Sequence, residues 1–565
     1  MQAQAKRAWI FSLLLVLSAL GVYGQFLWNP IVFDDLPFFS PVTDLLDRFS
    51  HSFSLFESRW LPYATIAWSK RLLGIDLIWF RLEALILHAL VGVSLFIFLR
   101  QLYRQVLANS TDEAAEQPWL TGAFIAALFF VVHPVAVYGA GYLIQRTIVM
   151  ATLFSLLALI AYLKGLEQEN RFWLWGSVAC YLLAVLSKES AIMLPAVMWA
   201  LTILIAGTGK AVLHRLWPVY LACFMIAVFV LLQNAGMIGT AYEIEASRML
   251  ELAAGQHSSN TTGTGVAGSG QLYHLLSVLT QCALFFKYLG LWLLPDPDWM
   301  SVDMREPFAA GLFSPYWIAA LGFIAYGGLA IRFLMMRGRR GLLGLAMLFP
   351  WVLFFTEFSV VRIQESFVLY RSYLWMPGIF IALPLLTMQF KPRVAIFSGT
   401  VLALLLAMVA VERLTTFSHP LLLWDDAEKL VHNRHDLPGV DRIYGNRANY
   451  FDDMKRYQDA LADYQTALSL RPNYAHYYLG LAITYSHLGE YGKAMVAYDQ
   501  SIALDPTRVR AYYWRGMTYE EMGNKIAALA DYVKSCDLGW QSGCNKVQQM
   551  KGEKSSAAYL PLKEL

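Results

Sequence analysis

Two adjacent carboxylates, Asp34 and Asp35, sit in the stretch IVFDDLPFF (31–39), directly after an apolar run and just ahead of Pro37. Other polar residues also mark the ends of apolar runs. They are His133-Pro134, Gln145-Arg146, SKES (187–190), PDPDWMSVD (295–303) and VRIQESFVLYRSYLWMP (361–377). Acids, cations and aromatics collected on one rim suit an amphiphile with an anionic headgroup. Moving a sugar from a lipid phosphate to a hydroxyl needs a carboxylate to take the acceptor's proton. It also needs cations or a metal on the phosphate leaving group. Asp34 is the candidate base, with Asp35 orienting it or helping to hold a divalent metal. Arg146, Lys188, Arg362 and Arg371 are candidate phosphate clamps. Trp299, Tyr370 and Tyr373 are placed to stack on sugar rings, and Glu189 and Glu365 complete the sugar or acceptor side.

Each residue also has a plain structural role to weigh. Either aspartate can cap a helix starting at Pro37. His133-Pro134 can end a helix, and Lys188 and Glu189 can pair at a helix end. The Pro-Asp-Pro-Asp run reads as a turn, and Arg371 can snorkel to an interface.

The elements that must position these residues follow from composition. The chain has 565 residues, 57% hydrophobic and 15% charged, against about a quarter charged in soluble domains. It is expected to be a polytopic membrane protein. A net charge of +3 without a long basic run argues against nucleic acid. A span needs roughly 20 apolar residues. Eleven segments qualify: 9–28, 82–99, 119–137, 143–163, 172–186, 191–206, 216–233, 313–335, 341–356, 373–390 and 394–411. The first is too long for a signal-peptide core of about 7–15 residues and lacks a cleavage site, so it is expected to be retained.

The positive-inside rule puts Arg100, Arg104, Lys164, Arg171, Lys210, Arg215, Arg337, Arg339, Arg340, Lys391 and Arg393 on the cytoplasmic side with the N-terminus. The apolar segment 276–294 would spoil that pattern as a span. It is expected to be an interfacial or re-entrant helix on the outer face, after a mobile Gly/Ser/Thr-rich loop, 255–270. Cys180, Cys223 and Cys282 fall in apolar segments as small hydrophobes. Cys536 and Cys544 can form a disulfide in an oxidising compartment or stay as two thiols.

Beyond residue 411 the character changes. Pro472 and Pro506, then Ala460, Ala494 and Ala528, and Tyr464, Tyr498 and Tyr532 recur 34 residues apart. This is the tetratricopeptide pattern, in which small residues let two helices cross and aromatics fill the gap to the next pair. The expected fold is therefore all-α: a transmembrane helix bundle over 1–411, an α-solenoid of about three repeats over 412–549, and a tail, 550–565.

With these residues assembled, the chain resembles the GT-C glycosyltransferases, in particular the transmembrane, tetratricopeptide-containing O-mannosyltransferases and their bacterial relatives. The resemblance is carried by FDD (33–35), WLPYATIAWSKRLLGIDLIWFRLEALILHAL (60–90), HPVAVYGAGYLIQRTIVM (133–150), LSKESAIMLP (186–195) and LYRSYLWMPGIF (369–380). It implies a polyprenyl-phosphate-linked sugar donor, and a base at Asp34 or Asp35. It places Lys188, Glu189 and Arg371 on the donor side. The chain departs from that pattern where Tyr138-Gly139 replace Glu-Ala, where Gln145-Arg146 replace Gly-Arg, and where Tyr370-Arg371 stand for Glu-Arg. The acceptor is expected to be a protein hydroxyl, pilin-like or otherwise exported, recruited by the repeats on the periplasmic face of a bacterial inner membrane. Two readings compete: an oligosaccharide ligase or polymerase of the O-antigen-ligase type, and a non-enzymatic membrane-anchored repeat scaffold. A transporter would instead carry ionisable residues inside its spans and two related halves.

Overall fold

A computed structural model describes residues 2–39, 57–107, 118–241, 265–309 and 314–550, with isolated positions 46, 49, 54, 311 and 552. The Asp34 side chain, residues 255–264 and the tail beyond 552 lie outside the described residues. Among those described, the chain is helical, with only two isolated bridges, Ala241 to Val361 and Met304 to Phe367. It divides into Met1–His419 and Pro420–Leu565. The last apolar helix, Pro392–Thr416, runs past the boundary expected at 411.

In the first unit, eight described helices are long and apolar enough to cross a membrane. Pro118–Val131 and Pro134–Ala140, bent by 50°, make a ninth. Three other expected spans are shorter. Arg171–Ser187 and Leu194–Ile205 are joined by a 3-10 turn, Glu189–Met193. The 373–390 segment is a chain of short turns, Leu369–Leu374, Met376–Ile381 and Leu383–Thr387. Pro377 and Pro384 lack the N–H that a continuous helix would need.

The basic loop residues gather at one end of the bundle. Arg104 pairs with Glu167 at 2.7 Å, Arg215 with Glu169 at 2.5 Å, and Arg337 Nε donates to the Ile203 carbonyl at 2.9 Å. The opposite end holds the acids and aromatics of the rim. The Gly265–Leu293 helix lies along that rim, although it is long and apolar enough to span. Its start meets the end of a neighbouring helix, where His274 donates to the Phe358 carbonyl at 2.7 Å. Its finish meets another at the same end of the bundle, where His133 donates to the Trp292 carbonyl at 3.1 Å. Between these points Gln281 and Tyr288 bond the 366–368 backbone, and Trp292 donates to Ser372 Oγ. Residues 265–270, expected in a loop, open this helix.

The second unit is a row of antiparallel helix pairs: Val440–Asp453 with Tyr457–Leu470, Ala475–His487 with Tyr491–Leu504, and Val509–Glu521 with Lys525–Asp537. Glycine permits each crossing. A methyl on Gly480 would lie 2.3 Å from the Tyr464 ring, and one on Gly445 2.3 Å from Tyr477. Arg447 chelates Asp463 through two hydrogen bonds, and two periods on Arg515 does the same to Asp531. In the intervening repeat Leu481 and Ala497 stand at those positions and join the apolar cluster. Cys536 and Cys544 are disulfide-bonded, tying the last helix, Gln541–Met550, to the third pair.

Candidate functional site

A cavity of about 520 Å³ opens at the rim end of the first unit, within the range of small-molecule sites (about 300–1,000 Å³). Five pieces of chain, with Ile148 of the Arg146–Glu167 helix, build its wall. The left-handed residue Arg59 (φ 59°) precedes the Trp60–Leu73 helix and turns its side chain inward. The Glu189–Met193 turn supplies Lys188 and Glu189. The end of the Lys210–Gln233 helix supplies Val230 and Leu231, and Met237 and Ile238 follow. The Phe355–Phe358 turn supplies Glu357, and the 359–371 stretch brings Arg362, Tyr370 and Arg371. Backbone bonds from Gly239 to Ser359 and from Val361 to Thr240 hold two of these pieces edge to edge.

The cavity is thus lined by four cations and two carboxylates together with apolar side chains. Arg59 grips Glu189 through two bonds, 3.0 Å from Nε and 2.5 Å from Nη2. Glu357 is shared by Arg362 at 3.3 Å and Arg371 at 3.5 Å. Arg371 also donates to the Glu365 carbonyl at 3.2 Å. Lys188 Nζ stands 5.3 Å over the Tyr370 ring. Burial, then the charges of Arg59 and Arg371, push the Lys188 amine down to about 7, against the pull of Glu189 and Glu357. Burial alone would raise the Glu189 carboxyl. The charge and hydrogen bonds of Arg59, with Lys188 beside it, hold it well below the usual carboxylate range. Burial would lower Arg371, but Glu357 outweighs that and keeps it firmly charged.

Of the residues singled out in the sequence, Lys188, Glu189, Arg362, Tyr370 and Arg371 meet at this cavity. The others sit elsewhere. Asp35 is fully buried and accepts hydrogen bonds from the backbone N–H groups of Leu143 (3.3 Å) and Ile144 (2.8 Å). It holds the positive start of the Leu143–Glu167 segment, while the short helix Leu36–Phe39 forms beside it around Pro37. Arg146 is buried against Glu83 at 2.7 Å and against the Phe80 carbonyl. It faces this pair, away from the cavity, because the first turn of its helix packs on the Leu77–Leu107 helix. Tyr373 is buried and donates to His88 Nδ1 at 2.6 Å. Trp299 is 62% exposed on the Pro297–Trp299 turn, and His133 caps a 3-10 turn through Val135. Glu365 enters through its carbonyl. Among the described residues no three His, Cys, Asp or Glu side chains gather as metal ligands.

Arg59 and Glu357 were not singled out. Arg59 is one of several cations in a long first loop, and Glu357 ends an apolar run as an ionisable group. That position was the available signal.

Family models match in the second unit only: "TPR repeat" over 484–523, and "Tetratricopeptide repeat" over 442–474 and 509–538. The C-terminal region carries tetratricopeptide repeats. Two solved structures of MamA are similar to part of the chain. One is 23% identical, covers 24% of this chain and 76% of its own, and has a TM-score of 0.21. The other is 24% identical, covers 29% and 89%, and has a TM-score of 0.20. No curated protein matches the chain.

Proposed function

We propose that the chain is an integral-membrane glycosyltransferase. It moves a sugar from a polyprenyl-phosphate-linked donor to a protein hydroxyl on the periplasmic face of a bacterial inner membrane. The observation that supports this best is the convergence of Arg59, Lys188, Arg362 and Arg371 on one cavity that Val230, Leu231, Met237, Ile238 and Phe355 also line. Cations and apolar side chains in one cavity match a phosphate on a lipid. Fixed positive charge there stabilises the phosphate as it departs. Tyr63 and Tyr370 line the same cavity and offer faces for a sugar ring. Asp34 keeps the role of base in this reading, since Asp35 is committed to the backbone and Glu189 and Glu357 to arginines. The repeats gather the acceptor, as such arrays commonly bind peptides and protein partners.

The test supplies a labelled polyprenyl-phosphate hexose to the full chain in lipid nanodiscs, together with exported proteins. Label should appear on protein in wild type. Arg371→Gln should cut the rate by about 10²–10³, the usual loss for one donor to a developing anion. Intact masses of exported proteins that are identical with and without the gene, together with no transfer in vitro, would sink the proposal.

A second reading is a membrane-anchored repeat scaffold that holds a lipid phosphate without turning it over. It is favoured by the engagement of both cavity carboxylates in ion pairs. Asp34→Asn separates the two: the enzyme loses transfer, whereas the scaffold keeps its phenotype.

A further inference from the structure

Arg81 lies near the start of the Leu77–Leu107 helix and is 6% exposed. Its guanidinium donates from Nε to the Asn29 carbonyl at 2.8 Å, from Nη2 to the Pro30 carbonyl, and from Nη1 to the Gly141 carbonyl at 3.0 Å. Asp35 makes the reciprocal tie, accepting from the N–H groups of Leu143 and Ile144. A buried cation that reaches carbonyls and a buried anion that reaches N–H groups thus join the stretches 29–35 and 141–144. The Asn29 side chain adds a bond to the Leu414 carbonyl at 3.3 Å. Between Pro30 and Asp35 lie residues 31–34. There Phe33 has φ 53°, in the left-handed region that a bulky side chain rarely adopts. Such a conformation persists only where its surroundings enforce it, and it gathers at functional sites. Phe33 stacks on Tyr142 with ring centroids 6.3 Å apart. Just beyond Asp35, Phe38 stacks on Tyr63, which lines the cavity. The stretch that carries Asp34 is therefore fixed at both ends and abuts the cavity wall. A cap on the end of the first helix would account for the bonds to Asn29 and Pro30, but not for the bond to Gly141 or the strain at Phe33.

We propose that Arg81 is a positioning residue for the transfer: it holds the 29–35 stretch so that Asp34 meets the acceptor hydroxyl at the cavity. The inference rests on reading Asp34 as the base of that transfer, and it gives Arg81 no contact with substrate. The planar fork of an arginine meets several oxygens in one fixed geometry, which an ammonium on a flexible stem does not. Without the fork the stretch is loose at its upstream end and Phe33 relaxes toward ordinary backbone. Asp34 then shifts, while Arg59, Lys188, Arg362 and Arg371 still line the donor's cavity. A misplacement of about 1 Å in a reacting group costs on the order of 10²-fold in rate.

The test compares wild type, Arg81→Met and Arg81→Lys as full chains in lipid nanodiscs, with a labelled polyprenyl-phosphate hexose and exported proteins as acceptors. Arg81→Met should lose about 10²-fold in kcat with the KM for donor unchanged. Arg81→Lys, which keeps the charge without the fork, should fall between. Hydrogen exchange of the same samples without donor should be faster at 29–35 in Arg81→Met and unchanged at 357–371. A role in stability alone would lower the melting point and leave kcat per folded molecule as in wild type. That result, or a raised donor KM beside the loss, would overturn the proposal. Equal exchange at 29–35 in wild type and Arg81→Met would overturn the clamp whatever the activity. Exchange that responds while wild type transfers nothing would instead sink the enzyme reading and leave Arg81 a structural clamp. If Arg81→Met fails to fold, Arg81→Lys decides on the same two readouts.

Discussion

Asp35 shows how far a residue's chemistry depends on its partners. Its carboxylate is buried and spent on two backbone N–H groups of Leu143 and Ile144. Hydrogen bonds to a charged group are worth about 1.5–3 kcal/mol each, and removal also leaves two buried donors. Asp35→Ala should lower the melting point of the detergent-solubilised protein, read by tryptophan fluorescence, with Asp35→Asn in between; an unchanged midpoint would refute the anchoring role. Arg146 makes a parallel case. Glu83→Gln strands a buried guanidinium, a loss of about 3–5 kcal/mol for a fully buried pair. Since Glu83 is partly exposed, the lower end is expected, read as a drop in the same midpoint. The sequence pointed to both residues as unusual but not to their roles, because each partner is distant along the chain. Lys188, Glu189 and Arg371, which line the candidate cavity, were legible because charges at the ends of apolar runs have few structural uses. Glu357, which pairs with Arg362 and Arg371, was passed over at the end of an apolar run.

At the scale of elements, the 34-residue period announced the helix pairs without ambiguity, since aromatics and small residues alternate only where helices cross. Apolar runs located the membrane-type helices, and their failures are also physical. Mean hydropathy does not register the 50° break between Pro118–Val131 and Pro134–Ala140 or the 3-10 turns from Leu369, because single prolines such as Pro134, Pro377 and Pro384 break a helix while hardly changing the average of an apolar run. The Gly265–Leu293 helix was placed along the rim by loop charge, not by its own residues. Close packing gives two tests. A methyl on Gly344 would lie 2.2 Å from the backbone nitrogen of Leu334. Backbone cannot swing aside as a side chain does, so Gly344→Ala should pry the Tyr316–Met335 and Gly338–Phe354 helices apart. Lower folded yield and faster trypsin cleavage near Arg337 would report it, and a wild-type digestion pattern would contradict the packing. Gly480→Ala meets the fully buried Tyr464 ring, and overpacking of this kind costs about 1–3 kcal/mol. The repeats should melt earlier by far-ultraviolet circular dichroism in the full chain, with the membrane helices unaffected.

For the whole molecule, the placement of its parts across a membrane is the quantity that the proposed chemistry needs. Basic residues at one end of the bundle and the cationic cavity at the other give the first unit a clear polarity. The Cys536–Cys544 bond suits a compartment that keeps disulfides. In intact cells these two thiols should resist a maleimide until a membrane-impermeant reductant is added outside the inner membrane. Labelling without reductant would place the repeats in the cytosol and remove them from the acceptor's side. The contact between Asp35 and residues 143–144 also bears on how the chain is made. A ribosome releases Asp35 more than a hundred residues before its donors exist, so until then the carboxylate must be satisfied by water at the rim. The rim closes over it only when residues 143–144 arrive, so chains stalled before residue 143 should leave the bonds around Asp35 open to added protease that full-length chains exclude.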